Sequence, residues 1–475
     1  MQPIKTLFAE AKWHLKTVIL TTGLISTNVM ASGLEGDWRS VAQINGEKNI
    51  PVVIHLEEDN GMWKGSLDSP SLGAKGVEIS MLEIRDSSIT FEVEDLQINY
   101  KGTYSAAVDL VFGFISQEVT SPLNFSRASE DAKNRTSNRP QTPKGPFPYA
   151  IEEVSFKNAA TGNIISGTLT KPKSNIKATA VLISGSGPQD RDETLFGHKP
   201  FAVIADHLTR QGYAVFRYDD RGIGGSSGDF RAATSKDFAS DANAAVDYLN
   251  SRKDLPKGKV GLIGHSEGGM IAPMVASSRD DIGFTILLAG PGVKIPELLV
   301  DQWHRNRKFN NLPEQNMQRL SQLDKEIFER IAQLGMYESL NDEIHELLYE
   351  SVKLEGAQEE ELDAQVEQLK KQYTTPWFRY FVKFNPEPYL KQTKSPLLAL
   401  NGSLDYQVDA KMNLSNIQSI LSSAGHKDFK TIELNKMNHL FQIANKGSFS
   451  EYAELEESFS PVALEVMSSW LNERF

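Results

Sequence analysis

No cysteine occurs among the 475 residues of the chain. That absence excludes a disulfide framework, a zinc–thiolate or iron–sulfur site, a thiol nucleophile and a lipid-modified cysteine anchor. Basic side chains are fewer than acidic ones, 50 against 62, and the formal net charge is -12. General affinity for nucleic acid or for an anionic membrane needs a basic face, so neither class fits. Long apolar runs are missing as well. Beyond residue 31 no stretch approaches the roughly 20 residues of a membrane-spanning helix. What remains is a globular composition, 40% hydrophobic and 24% charged, in a chain long enough for more than one domain.

Lys5, Lys12 and Lys16 precede an uncharged, mostly apolar run from Thr17 to Met30, which closes on Val29-Met30-Ala31 before Ser32. This is the layout of a secretory signal peptide, with small residues where a signal peptidase needs them. The expectation is export, with cleavage after Ala31 and a periplasmic or secreted product that carries no integral membrane segment. The leader holds a net +2, which leaves -14 on the 444 residues that follow. An exported chain without disulfides must draw its stability from core burial.

Residues 33–127 read as short alternating runs, such as Val52 to Leu56, Ile89 to Val93 and Ile98 to Tyr100, with Asp59-Asn60-Gly61, Gly73 and Gly76 as punctuation. Period-two alternation with such turns predicts an antiparallel sheet, a small barrel or a sandwich. Residues 128–148 are polar and Pro-containing, a composition that cannot bury enough apolar area to fold alone, and they mark a linker. From Tyr149 the pattern changes. Nearly continuous apolar runs at Ala178 to Ser184, Tyr213 to Tyr218, Lys259 to Ile263, Phe284 to Leu288, Leu397 to Asn401 and Thr431 to Leu434 alternate with helical stretches. They predict a doubly wound, mostly parallel α/β sheet over residues 149–475. A charged amphipathic block at about 295–385, with helices expected at Gln315 to Leu334 and Asn341 to Lys371, interrupts the alternation. It reads as a helical cap over the carboxyl ends of the strands, where α/β folds bind ligands.

Gly264-His265-Ser266-Glu267-Gly268-Gly269 directly follows the strand Lys259 to Ile263 and directly precedes a helical run. A G-x-S-x-G between strand and helix exposes its Ser on a tight turn, with glycines where backbones crowd. Gly224 to Gly228 also matches, but it has no strand before it or helix after it, so it reads as a flexible loop. A Ser hydroxyl needs an imidazole to take its proton and a carboxylate to orient the imidazole. His439, just after the strand Thr431 to Leu434, and Asp405, a short loop after Leu397 to Leu400, occupy the expected places and order. His304 and His345 fall in the insertion, His426 precedes a strand, and Asp409 suits a helix N-cap. An oxyanion needs preorganised N–H donors. The amide of Glu267 and that of Ser186, or else Gly187, in the loop Ser184 to Glu193 are the candidates. Arg191 is either a salt-linked brace or a contact for a polar substrate group. Trp377 and Tyr380, in Pro376 to Phe381, are either core or pocket wall. No residue spacing indicates a metal site.

Five ordered motifs carry a resemblance: GSGPQDRDE at Gly185 to Glu193, GHSEGG at Gly264 to Gly269, PWFRYF at Pro376 to Phe381, LALNGSLDYQV at Leu398 to Val408 and NHLFQ at Asn438 to Gln442. Together they resemble the α/β-hydrolase superfamily and, within it, a group of bacterial serine esterases related to serine aminopeptidases and prolyl-oligopeptidase-like hydrolases. The resemblance covers Tyr149 to Phe475. It implies Ser266, Asp405 and His439 as a triad, a capped site, no cofactor and an extra N-terminal β-domain. The implied activity is hydrolysis of a small-molecule or polymer-linked acyl ester. A peptidase or aminopeptidase is the alternative within the fold, and an envelope- or carbohydrate-binding protein acting through the β-domain is the alternative from another class.

Overall fold

The computed structural model describes residues 34–475 apart from 45–47, 60–61, 70–73, 86–87, 106–109, 117–119, 128–138, 174, 310–311 and 360–361. The expected leader, residues 1–31, lies outside the described residues. The alternating N-terminal runs form β1 (Gly36–Ile44), β2 (Lys48–Asp59), β3 (Met62–Ser69), β4 (Ala74–Glu78), β5 (Met81–Arg85), β6 (Ser88–Val93), β7 (Ile98–Ser105), β8 (Leu110–Ser116), β9 (Thr120–Pro122) and β10 (Phe125–Arg127). They make one antiparallel sheet in the order β4-β3-β2-β1-β10-β8-β7-β6-β5, with β9 on β8. Its core gathers Trp38, Ile54, Phe91, Tyr100 and Phe125. The Trp38 indole N–H is satisfied by the Leu34 carbonyl at 2.8 Å, and the Arg127 guanidinium lies 4.0 Å over its ring. A large aromatic is thus buried with its polar atom paired.

The second sheet comprises β11 (Ala150–Lys157), β12 (Ile164–Lys171), β13 (Thr179–Ile183), β14 (Ala214–Tyr218), β15 (Val260–His265), β16 (Ile282–Leu288), β17 (Leu397–Gly402) and β18 (Phe429–Leu434). Their order is β11-β12-β14-β13-β15-β16-β17-β18; β11, β12 and β14 pair antiparallel in succession and the rest pair parallel. Alternate residues of β13 feed two cores. Val181 and Ile183 meet the core shared with α2 (Ser235–Ser251), α3 (Glu267–Ala276) and α10 (Ala410–Ser423). Ala180 and Leu182 meet the one shared with α1 (Pro200–Arg210) and α12 (Pro461–Asn472). Burial on both faces explains why these strands read as unbroken apolar runs. The chain reverses its direction across the sheet at β13, so the carboxyl ends of β13 and β15 flank the switch point where such folds hold ligands.

Between β16 and β17 lie α4 (Ile295–Phe309), α5 (Glu314–Gln333), α6 (Asp342–Leu354), α7 (Leu362–Tyr373), α8 (Pro376–Phe381) and α9 (Glu387–Gln392). The stretch read as one helix from Asn341 to Lys371 is two, because the chain turns at Gly356 with φ of 101°. α4–α8 share a core of their own with Met270 of α3. Among the described residues no helix is long and apolar enough to cross a membrane.

Residues 139–149, read partly as linker, are docked on the α/β unit. Buried Arg139 donates to the carbonyls of Phe196, Ala453 and Leu455, and the Gln141 amide bonds the backbone of Ser458 and Phe459. Side-chain to backbone bonds of this kind leave no periodic trace. Leu110 of the β-domain joins a cluster with Phe196, Tyr406, Leu440 and Tyr452 of the α/β unit. Arg139→Ala strands three carbonyls and is expected to lower stability by about 1–3 kcal/mol, measured as a shift of the urea midpoint.

Candidate active site

β15 runs directly into α3, and the turn between them is crowded. A Cβ on Gly264 would lie 2.0 Å from the Gly268 carbonyl oxygen, and one on Gly268 would lie 2.1 Å from that of Ile183. Only glycine fits at either place. Ser266 between them takes φ 53° and ψ -115°, a region that L-residues seldom enter. Its N–H bonds Leu288 O at 2.8 Å and its carbonyl accepts from Gly269 N–H at 2.9 Å. Such strain persists where the surroundings over-determine it. The hydroxyl is left unengaged among the described residues, on the first turn of α3, whose exposed N–H groups carry partial positive charge.

Asp405 and His439 meet from neighbouring loops. Asp405 Oδ2 lies 2.8 Å from His439 Nδ1, and Oδ1 accepts the amides of Gln407 and Val408 at 2.9 Å each. Both side chains are buried. A carboxylate pinned by two amides fixes the ring plane and leaves Nε2 as the free nitrogen. The His loop braces itself through Asn438, whose Oδ1 accepts the amides of Leu440 and Gln442 and whose Nδ2 reaches the Gln442 side chain. Asp409 caps α10, accepting Met412 N–H at 2.8 Å.

The loop after β13 closes on the elbow: a Cβ on Gly185 would sit 3.2 Å from Ser266 Cβ. This brings Ser186 beside Glu267, the two candidate amide donors. Ser186, Ser235 and Trp377 also donate side-chain hydrogen bonds to the Glu267 carboxylate, Ser235 at 2.6 Å and the Trp377 indole at 3.0 Å. Trp377 therefore joins cap to elbow and stacks on Phe381 with centroids 4.8 Å apart. Tyr380 does not share this contact; its hydroxyl pairs with Tyr389, and burial pushes it up to about 12.

Arg191 is held as a brace. Nε and Nη2 clamp Asp219 at 3.0 and 2.7 Å, while Nη1 takes Thr168 at 2.8 Å and the Glu153 carboxylate. The second G-x-S-x-G loop is no flexible segment either. Buried Ser226 donates to Asp219 O at 2.7 Å and accepts Ser166 N–H at 2.9 Å. Two residues to which the motifs gave no definite role lie in the site. Glu193 Oε1 accepts Gly185 N–H at 2.7 Å and meets His265 Nδ1 at 2.9 Å, while His265 Nε2 lies 3.0 Å from the His439 carbonyl oxygen. The sequence signal was present, an acid closing the motif of the β13 loop and a His preceding the candidate nucleophile, but nothing in it paired them. Among the described residues no group of three or more His, Asp or Glu is arranged to hold a metal ion.

Burial pushes the Glu267 carboxyl up, against the three hydrogen bonds that favour its charged form. A folded carboxyl raised above its unfolded value costs stability as pH climbs from the ordinary value, about 4.3, through the raised one. Glu267→Gln removes that cost. The stability difference between variant and wild type should therefore shift toward the variant as pH rises over this range, in urea melts at stepped pH. A difference independent of pH would contradict the assignment.

Several known proteins are similar. The esterase EstD of Thermotoga maritima is 31% identical over 208 residues, 44% of this chain and 48% of that protein, so the match spans about half of the relative's length. Among solved structures, the Pyrococcus furiosus esterase Pf2001 has a TM-score of 0.42 at 16% identity, covering 72% of this chain and 98% of its own. Est1E of Butyrivibrio proteoclasticus, solved with ferulic acid bound, has 0.41 at 17%, covering 67% and 98%. The family model for serine aminopeptidase, S33, matches residues 199–442, just over half of the chain, from the start of α1 through the His loop. With its tight strand-to-helix turn at Ser266 and its capped, mostly parallel sheet, the chain belongs to this serine aminopeptidase S33 family of α/β-hydrolases.

Proposed function

We propose that the chain is a serine carboxylic-ester hydrolase working through an acyl-enzyme. The observation that carries this reading is the left-handed backbone of Ser266 at the end of β15, beside the 2.8 Å Asp405–His439 bond. Ser266 Oγ attacks the ester carbonyl carbon as His439 Nε2 takes its proton, and Asp405 stabilises the imidazolium that forms. The amides of Ser186 and Glu267 receive the oxyanion, helped by the positive end of α3. Collapse expels the alcohol, which leaves with the proton from His439. Water, deprotonated by His439, then attacks the acyl carbon and frees the acid and Ser266. The relative of known name, an esterase, supports the same chemistry.

The family description raises aminopeptidase action as a second reading. Such an enzyme must offer a carboxylate to the substrate's ammonium group, and the carboxylates near the elbow are already engaged. Asp190 Oδ1 accepts the amides of Asp192 and Thr194, Glu193 meets Gly185 and His265, and Glu267 holds Trp377 and Ser235. This favours the ester. A binding protein acting through the β-domain alone is disfavoured by the Leu110 cluster, which includes neighbours of Asp405 and His439. The acyl substrate, small or attached to a polymer, is approached beneath the cap.

Short p-nitrophenyl esters should be hydrolysed by the chain from Ser32 onward. Ser266→Ala should lower kcat by about 10⁶ and Asp405→Asn by about 10⁴, while aminoacyl naphthylamides stay the slower substrates. Equal rates for wild type and Ser266→Ala end this reading. Export belongs to the same proposal, supported by the basic and apolar leader. N-terminal sequencing of the exported protein should begin at Ser32; a protein retaining Met1 refutes processing.

A further inference from the structure

We propose that Glu193 and His265 form a buried carboxylate–imidazolium pair that holds the loop of His439 in register with the oxyanion loop. The proposal rests on the serine-hydrolase reading for its catalytic consequence, but not for its chemistry.

The argument is one of proton counting. A carbonyl oxygen only accepts, so His265 Nε2, 3.0 Å from His439 O, must carry a proton. The Glu193 oxygen facing Nδ1 at 2.9 Å already accepts the Gly185 N–H at 2.7 Å. A carboxylate there needs a proton on Nδ1 as well. With Glu193 ionised, either neutral tautomer of His265 would set a ring lone pair against an acceptor, and the doubly protonated ring satisfies both contacts at once. Glu193 and His265 are each 6% exposed, so water cannot repair a mismatch. Glu193 also sits at φ 52°, a conformation with a cost that a strong partner offsets.

The groups facing His265 come from three loops: Glu193 after β13, Asp405 after β17, and His439 after β18, whose ring centroid is 4.9 Å away. The Phe441 ring, centroid 6.4 Å away, closes another side. Burial alone would lower the imidazole. The charge and hydrogen bond of Glu193, the His439 carbonyl and the charge of Asp405 outweigh it, and the group is raised. Its proton is thus kept below the raised value and lost as pH climbs through it.

The result is a single chain of hydrogen bonds, Gly185 N–H to Glu193, Glu193 to His265, His265 to His439 C=O. It links the backbone next to Ser186, the residue before the nucleophile, and the backbone of the general base. His265 and Glu193 are positioning residues. They touch no reacting atom, yet they set the distances among groups that do, and misplacement by about 1 Å costs up to roughly 10²-fold in rate.

The test uses the full chain, wild type and Ser266→Ala, labelled with ¹⁵N-histidine, with the His265 signals assigned by their loss in His265→Gln. In a titration upward from about pH 6, both His265 nitrogens should stay protonated past the ordinary imidazole value of about 6.5; a proton lost at or below that value overturns the pair. In ester hydrolysis, Glu193→Gln should lower kcat by about 10- to 10²-fold with little change in KM, and move the alkaline fall of activity to lower pH. Glu193→Asp, which keeps the charge, should hold that fall nearer its original place. A loss uniform across pH would reduce the pair to packing and overturn its charged role. If Glu193→Gln does not fold, the wild-type spectrum decides. A protonated His265 in a chain inert on esters defeats the hydrolase reading alone, and a neutral His265 in an active enzyme defeats the pair alone.

Discussion

The left-handed turn at Ser266 is the constraint on which the carboxyl edge of the sheet depends. A non-glycine residue at φ 53° costs on the order of 1–3 kcal/mol, and the turn cannot relax. β15 is buried along its whole length, α3 packs against β15 and β16, and the glycines at 264 and 268 admit no other side chain. With strand and helix both fixed, the direction of the serine side chain is fixed too. The neighbouring loops are then arranged around that one direction, the β13 loop from one side and the loops after β17 and β18 from the other.

The cap is attached to this arrangement at a few specific points. Trp377 reaches from α8 to the carboxylate of Glu267, which is itself held by Ser235 at the start of α2. Glu267 thus faces two ways, its backbone into the turn beside Ser266 and its side chain toward the cap. Elsewhere the cap is an apolar assembly in its own right. Polar anchors such as Arg305 on Asp409, at the cap of α10, tie α4 to the sheet that carries the acid. The polymer of contacts from β15 through Glu267 to α8 is short, and the site floor and its roof share one residue.

Legibility followed burial. β13 to β17 were readable because two-sided packing leaves unbroken apolar runs, and the elbow was readable because its glycines and flanking strand and helix are local. β11 and β12 were not, since β11 is an edge strand with mostly exposed residues and β12 is broken up by Ser, Gly and Thr. Asp405 and His439 could be chosen by their order after strands, which is a topological rule. Arg191 could not be settled, because its partner Asp219 lies 28 residues away and only the fold brings them together. The same holds for Glu193 and His265, 72 residues apart, and for Arg139, whose partners at Ala453 and Leu455 lie near the other end of the chain. Local rules reach as far as turns and caps; pairings across the sheet belong to tertiary structure.

The Arg139 anchor and the position of His439 together set an order of events during synthesis. A chain made from its N-terminus folds early segments first, at about 5–20 residues per second. The β-domain can pair its strands as soon as they emerge, since its sheet is complete by Arg127. The turn at Ser266 needs only strands that follow soon after. His439, Asp405 and two of the three carbonyls that receive Arg139, those of Ala453 and Leu455, come from the last quarter of the sequence. A nascent or truncated chain therefore shapes the turn at Ser266 before Asp405 and His439 exist beside it, and the proposed triad is completed last, by the segment that also receives Arg139.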